Sequence, residues 1–222
     1  MLNIRNLSIE KLTKGSAEPL VTLDDLTINK DEVVTLMGSS GVGKSTLLRW
    51  MLGESLSGFC AKGELRLNGK DISNCSIAGR QLGLMFQKGG LFPHLTVEEN
   101  CLFAQKPRST LTRKQQVNEA LGMLKTLGLD DKWAVYPDSL SGGQYARIAL
   151  ICSLLAAPQA MLLDEPFSAL DANLREEVRQ WTFAQLQERE IPTLLVTHDR
   201  ADACGCILKL EHGKIESEPA NV

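Results

Sequence analysis

The sequence predicts an α/β protein with a parallel core sheet, an N-terminal antiparallel β subdomain and a helical insertion. Two unbroken apolar runs, Ala160-Met-Leu-Leu163 and Thr193-Leu-Leu-Val196, have the character of parallel strands covered on both faces. Leu2–Ile9 and Leu20–Ile28 instead alternate apolar and polar residues, as antiparallel strands with one wet face do. From Thr96 to about Ala157 the period lengthens to that of helices. A chain of 222 residues fits a single domain, 1–222, with the helical part inserted at about 90–157.

In chain order, Lys14-Gly-Ser-Ala-Glu-Pro19 reads as the loop between the first two strands. Val33–Met37 is a short buried strand, and Thr46–Leu52 opens a helix. Glu64–Leu67 is a strand meeting an Asn68-Gly69 tight turn, and Leu82–Phe86 is another strand. Thr96 with Glu99, and Thr112 with Gln115, have the spacing of capping boxes. Val117, Ala120, Leu121, Leu124 and Leu127 form one apolar stripe that Gly128 ends. Ser141 is placed to cap an apolar helix containing Ile148–Ala157, and a further helix runs from about Ala172 to Arg189. Cys206–Leu210, a His212-Gly213 turn and Lys214–Ser217 close the fold as a hairpin. The chain shows neither an internal repeat nor a low-complexity segment.

Between the strand at 33–37 and the helix after it lies Gly38-Ser39-Ser40-Gly41-Val42-Gly43-Lys44-Ser45-Thr46, which matches the phosphate-loop pattern G-x-x-x-x-G-K-[ST]. Its glycines let the backbone curl with N–H groups pointing inward, backed by a helix N-terminus. Lys44 would reach the β- and γ-phosphates of a nucleotide, and the Ser45 hydroxyl would face Mg²⁺. A Gly/Ser-rich turn that matches by chance is the bland alternative, and the strand–loop–helix context disfavours it.

Asp164 and Glu165 end the buried run that starts at Ala160. Beside a phosphate loop, Asp164 suits Mg²⁺ and Glu165 suits a general base polarising the attacking water. Two acids ending a strand are common in isolation; the phosphate loop upstream gives them a use. Leu140-Ser141-Gly142-Gly143-Gln144 makes a second helix start with exposed N–H groups, and a second anion site makes sense if it serves another molecule's nucleotide. Read blandly, it is only a helix-start turn.

Composition narrows the partners. A net charge of −3 and the absence of a Lys/Arg-rich run exclude nucleic acid held by bulk electrostatics. The longest apolar run, Ile148–Ala157, is about half a bilayer span. Met1-Leu-Asn-Ile-Arg5 lacks the charged region and apolar core of a signal peptide, so none is expected. Six scattered cysteines without a C-x-x-C pair fit reduced thiols in a cytoplasmic protein. Cys204, Cys206 and His212 are a weak metal candidate, lacking a fourth ligand.

Taken in order, these motifs resemble the ATP-binding cassette (ABC) family over nearly the whole chain. The phosphate loop at 38–45 is followed by Gln87 after a strand, Leu-Ser-Gly-Gly-Gln at 140–144 and Asp164-Glu165. Ser168-Ala-Leu-Asp171 and Thr197-His198-Asp199 complete the series. The resemblance implies ATP and Mg²⁺ as ligands, with Gln87 touching the metal and the attacking water and sensing a transmembrane partner. It implies that Ser141 and Gly143, within the 141–144 segment, bind the γ-phosphate of the opposite subunit's ATP. His198 would contact the γ-phosphate, and the Asp171 loop would couple two sites across a head-to-tail homodimer. Phe86 to Asn100 is similar to the segment where bacterial importer ATPases receive a helix of the membrane partner, and an exposed Leu91-Phe92-Pro93 would suit that docking; the same residues could equally anchor the insertion. The implied setting is the cytoplasmic face of the inner membrane, with permease subunits and a substrate-binding protein.

The chain departs from that family in three places. No aromatic occurs before Trp50, where adenine is usually stacked, and Lys11-Leu12 stand there instead. Cys152 occupies the place of an arginine the family often carries eight residues after Gln144. The stretch between His198 and the last strands is about one helical turn short. A soluble cassette of translation or DNA repair is the alternative, but paired cassettes or long coiled-coil insertions are not seen. A phosphate-loop GTPase would need Asn-Lys-x-Asp downstream, whereas Asn29-Lys30-Asp31-Glu32 lies upstream and reads as a turn.

Overall fold

The computed structural model describes residues 1–13, 16–86, 90–106 and 110–217. They form two compact units. One comprises Met1–Leu82, Gln159–Glu165 and Phe183 onward; the other comprises Gly83–Pro158 and Pro166–Thr182.

The first unit is built on one sheet. β1 (Leu2–Thr13) and β2 (Ser16–Ile28) pair antiparallel along their length. The segment Ser16–Pro19, expected to be loop, is therefore strand. Its residues are exposed, as is the facing end of β1, so no apolar alternation marks it. After β3 (Val33–Met37) comes α1 (Lys44–Leu52), then β4 (Phe59–Leu67), β5 (Lys70–Asp71) and a single helical turn, α2 (Ile77–Arg80). β6 (Leu82–Met85) leads into the second unit, which holds α3 (Val97–Gln105), α4 (Arg113–Thr126) and α5 (Gly142–Leu155). β7 (Ala160–Asp164), α6 (Ala172–Glu188), β8 (Thr193–Val196), β9 (Cys206–Glu211) and β10 (Lys214–Ser217) complete the chain.

Strand order across the first unit is β5-β4-β1-β2-β10-β9-β3-β8-β7. β9, β3, β8 and β7 run parallel, and both apolar runs that predicted parallel strands are wholly buried. The closing segment thus does more than form a hairpin: β9 pairs with β10 and also with β3 in the core. Antiparallel and parallel halves meet where Thr22 N–H and Oγ1 both donate to Gly213 O, at 2.7 and 2.8 Å. In the second unit, both expected capping boxes form, at Thr96/Glu99 and Thr112/Gln115. Cys101, Leu102, Ala120, Leu124, Ile148, Ile151 and Cys152 are buried there; Val117 and Leu121 of the predicted stripe are half-buried.

Candidate functional site

The phosphate-loop residues connect the buried strand β3 to α1, with Ser39, Ser40 and Gly41 exposed and Gly38 and Val42 half-buried. Gly43 stands at the N-cap with φ 118° and makes no side-chain cap. A Cβ there would lie 2.9 Å from Val21 Cγ2 and 3.0 Å from Leu20 Cγ, so both conformation and space require glycine. No side chain at the N-cap competes for the first-turn N–H groups of α1, which suits an anion there, and the missing Cβ at Gly43 lets Leu20 and Val21 of β2 come against the loop. Lys44 is 7% exposed, and its Nζ donates to Gly38 O at 2.7 Å and Ser39 O at 2.9 Å. Burial lowers its pKa, opposed by the nearby Glu165 and Asp164 carboxylates.

The parallel order β3-β8-β7 carries three other predicted residues to the same end of the sheet. Ser45 Oγ donates to Asp164 Oδ2 at 3.2 Å. Desolvation raises the Asp164 pKa and Glu165 adds to it, while the Ser45 hydrogen bond and Lys44 oppose. Glu165 N–H donates to Val196 O at 2.9 Å, extending the β7–β8 ladder by one bond. Its φ is then 49°, an uncommon left-handed conformation for this residue type, which turns the chain at the strand end. Its carboxylate lies 2.7 Å from His198 Nδ1. An ionised carboxylate only accepts, so the ring nitrogen is the donor. Hydroxyl and carboxylate oxygens are the hard donors that Mg²⁺ takes, so Ser45 and Asp164 fit that ion.

Ser141 caps α5 as predicted: its Oγ accepts from Gln144 N–H at 3.3 Å, and Gln144 Oε1 accepts from Ser141 N–H at 2.9 Å. Asp171 caps α6, with Oδ1 accepting from Leu174 N–H at 3.1 Å. A Cβ at Gly143 would lie 3.4 Å from Leu170 Cδ2, so the 141–144 segment and the 168–171 segment adjoin within the second unit. Lys44, Ser45, Asp164, Glu165 and His198 converge in the first unit; Ser141, Gly142, Gly143, Gln144 and Asp171 belong to the second. Gln87 lies outside the described residues.

Leu91 departs from expectation: it is 8% exposed, and its N–H donates to Tyr145 Oη at 3.0 Å. Phe92 and Pro93 are exposed as expected. Two polar residues that sequence reasoning passed over do the local work. Buried Asn100 accepts from Phe92 N–H at 2.8 Å and donates to the carbonyls of Phe92, Leu95 and Thr96, holding the 92–96 turn. Arg147 donates to Gly143 O at 3.2 Å and Leu127 O at 2.7 Å, tying α5 to the end of α4. Burial lowers its pKa, with Glu177 and Asp171 opposing. Each bonds mainly to backbone carbonyls, which have no sequence signature. Among the described residues no group of three or more His, Cys, Asp or Glu could hold a metal, so the Cys204/Cys206/His212 candidate is not realised.

A family model described as ABC transporter matches residues 22–168. The ABC transporter ATP-binding protein YnjD of Escherichia coli (strain K12) is 43% identical over 205 residues, covering 91% of this chain and 90% of that protein. The sulfate/thiosulfate import ATP-binding protein CysA of Synechococcus elongatus is 40% identical over 205 residues; the match covers 89% of this chain and 58% of that protein. Two solved structures of MJ0796 have the same fold at 27% identity. The dimeric bacterial ABC transporter cassette gives a TM-score of 0.83 over 97% of each chain. The post-hydrolysis state bound to ADP and Pi gives 0.84 over 98% of each.

Proposed function

The chain belongs to the ABC transporter family, and from that premise we propose that it is the ATP-hydrolysing subunit of an importer, working as a homodimer on transmembrane permease subunits. The observation that carries the reading is the convergence of Lys44, Ser45, Asp164, Glu165 and His198 at one end of the parallel sheet. Lys44 and the open N-terminus of α1 bind the triphosphate. Ser45 and Asp164 would hold Mg²⁺, which when bound draws charge from the phosphate oxygens. Glu165 takes a proton from the attacking water, and His198, hydrogen-bonded to it, fixes its orientation and faces the γ-phosphate. Gln87 is assigned to the metal and water on resemblance alone.

Ser141, Gly142, Gly143 and Gln144 present a second anion-binding helix start, and we assign it to the γ-phosphate of the partner copy's ATP, with Asp171 beside it at the shared interface. The related MJ0796 cassettes are dimeric structures. The whole chain is then one ATPase domain, 1–222, with the helical segment at about 90–157 as its insertion. From the sulfate/thiosulfate import relatives we take the direction of transport and not the anion, because the substrate is chosen by the permease and a substrate-binding protein. Among the described residues no helix is long and apolar enough to cross a membrane. The place assigned is peripheral, on the cytoplasmic face of the inner membrane.

A soluble, non-transport cassette is the less favoured reading. Sedimentation of Glu165→Gln with ATP and Mg²⁺ tests the shared site: a dimer that needs nucleotide is expected, and a monomer at high protein concentration would sink the assignment. Purification from membranes with permease subunits attached separates importer from soluble cassette.

A further inference from the structure

Arg80, at the end of the single turn α2, is 5% exposed, and its guanidinium spreads over four backbone carbonyls. Nη1 donates to Trp50 O at 2.8 Å and Met51 O at 2.7 Å, both in the last turn of α1. Nε donates to Cys75 O at 3.2 Å, and Nη2 to Ser73 O. Helix ends leave their last carbonyls without intrahelical partners, and a cation there also meets the negative end of the helix dipole. Arg80 supplies both, and clamps the end of α1 to the 73–75 loop. That loop is fixed in turn by Asp71 Oδ1, which accepts from Ser73 N–H at 2.8 Å. Gly53, next after α1, completes the arrangement: its φ is 84°, and a Cβ there would lie 2.6 Å from Arg80 Nε. The other end of the same helix is the phosphate-binding turn at Lys44, about 13 Å away for nine residues.

We propose that Arg80 is a positioning residue for nucleotide binding, holding α1 along its axis so that the N–H groups after Gly43 and the Lys44 side chain meet the phosphates. This rests on the ATPase reading of the phosphate loop. A helix transmits an axial shift from one end to the other, because its backbone hydrogen bonds make it stiff. Two hydrogen bonds from Arg80 to the end of α1, themselves held by two more to the 73–75 loop, therefore set the near end. Lysine could keep the charge but not the planar fork that reaches carbonyls of two segments at once.

ATP affinity of Arg80→Met, Arg80→Lys and Lys44→Ala is measured by titration with a fluorescent ATP analogue, at a temperature where circular dichroism shows each variant folded. Arg80→Met should weaken binding about tenfold, within the usual range of coupling between separated sites, and Arg80→Lys should recover part of it. Coupling is reciprocal, so ATP should also slow amide exchange at residues 49–54 and 77–80 in the parent protein. This needs no variant to fold. Parent affinity in both Arg80 variants, or unchanged exchange at those amides when ATP binds, overturns the proposal. If Lys44→Ala also binds ATP like the parent, the nucleotide site itself is misassigned; if only Lys44→Ala binds weakly, the site stands and the role of Arg80 falls.

Discussion

His198 Nδ1 lies 2.7 Å from Glu165 Oε1, just beyond the ends of the neighbouring parallel strands β8 and β7. Thirty-three residues of chain separate the two, and the sheet brings them back together. The contact orients a carboxylate that is otherwise attached to a strained turn. A base must be held within hydrogen-bond reach of the water it activates, and the imidazole limits the rotamers Glu165 can use.

Glu165→Gln keeps the side-chain shape and an oxygen for His198 but removes the base. Turnover should fall by about 10²–10⁴ with ATP affinity preserved. Lys44→Ala should do the reverse and weaken binding itself, since a charge-assisted hydrogen bond to phosphate contributes about 1.5–3 kcal/mol. Measuring kcat and Kd in both variants checks the division of labour; a Glu165→Gln enzyme near the parent rate would refute it.

Asp164 gives a pH dependence. Its pKa is raised, chiefly by desolvation, so the folded state binds its proton more tightly than the unfolded chain does. Stability from this group is present at low pH and is lost as pH rises from the ordinary aspartate range, about 3.9, through the raised folded value. Asp164→Asn, which cannot ionise, should therefore raise the melting temperature of nucleotide-free protein at neutral pH, by less than about 4 °C given partial exposure and the length of the chain. The gain should vanish as pH approaches about 4, while Mg²⁺-dependent hydrolysis is lost at every pH. A variant less stable than the parent at neutral pH would overturn this.

How legible the site was depends on how local each part is. The phosphate loop is contiguous, and its glycine requirement at 43 is visible as a motif before the packing of Leu20 and Val21 explains it. The meeting of Ser45 with Asp164 and of Glu165 with His198 depends on strand order β3-β8-β7, which no local spacing encodes. Ser16–Pro19 reads as loop in the sequence because a strand exposed on both faces has no alternation to detect. Leu91 is expected at the surface from its likeness to a docking segment, and the Tyr145 contact that ties it down comes from 54 residues away, where no local pattern signals it. Arg80, Asn100 and Arg147 bond mainly to backbone carbonyls, so nothing in the sequence pairs them with a partner.

Base selectivity should be weak. Leu12 is 53% exposed near the end of β1, on the antiparallel arm whose β2 strand packs against Gly43. An aliphatic side chain there gives adenine no ring to stack on, and aromatic pairing contributes about 0.5–1.5 kcal/mol beyond burial. Leu12→Tyr should thus tighten ATP binding about two- to tenfold and sharpen the preference over GTP. A hundredfold ATP preference in the parent protein would mean that another residue reads the base.

Phe92 is the residue on which docking of the permease is expected to turn. It is 43% exposed and packs edge-to-face on Phe103, itself 50% exposed, with ring centroids 4.9 Å apart. The His94 ring is also edge-on to Phe92, with centroids 5.9 Å apart. The backbone beneath is fixed by buried Asn100, so this aromatic group is presented on a rigid turn, and an exposed apolar cluster of this kind suits a protein partner. Phe92→Asp leaves the hydrogen bonds of the turn intact, since Asn100 bonds only to its backbone. The introduced charge is solvated in the free subunit and becomes an unpaired buried charge when an apolar helix covers it. Folding and ATP affinity should stay near the parent values, while membrane association and transport fall at least tenfold; Asn100→Ala should weaken docking less selectively, by loosening the turn. Membrane flotation, transport and nucleotide titration on the same preparations decide the matter. Retained transport in Phe92→Asp, or ATP binding that collapses with it, would place the docking surface elsewhere and leave Phe92 as packing for α3.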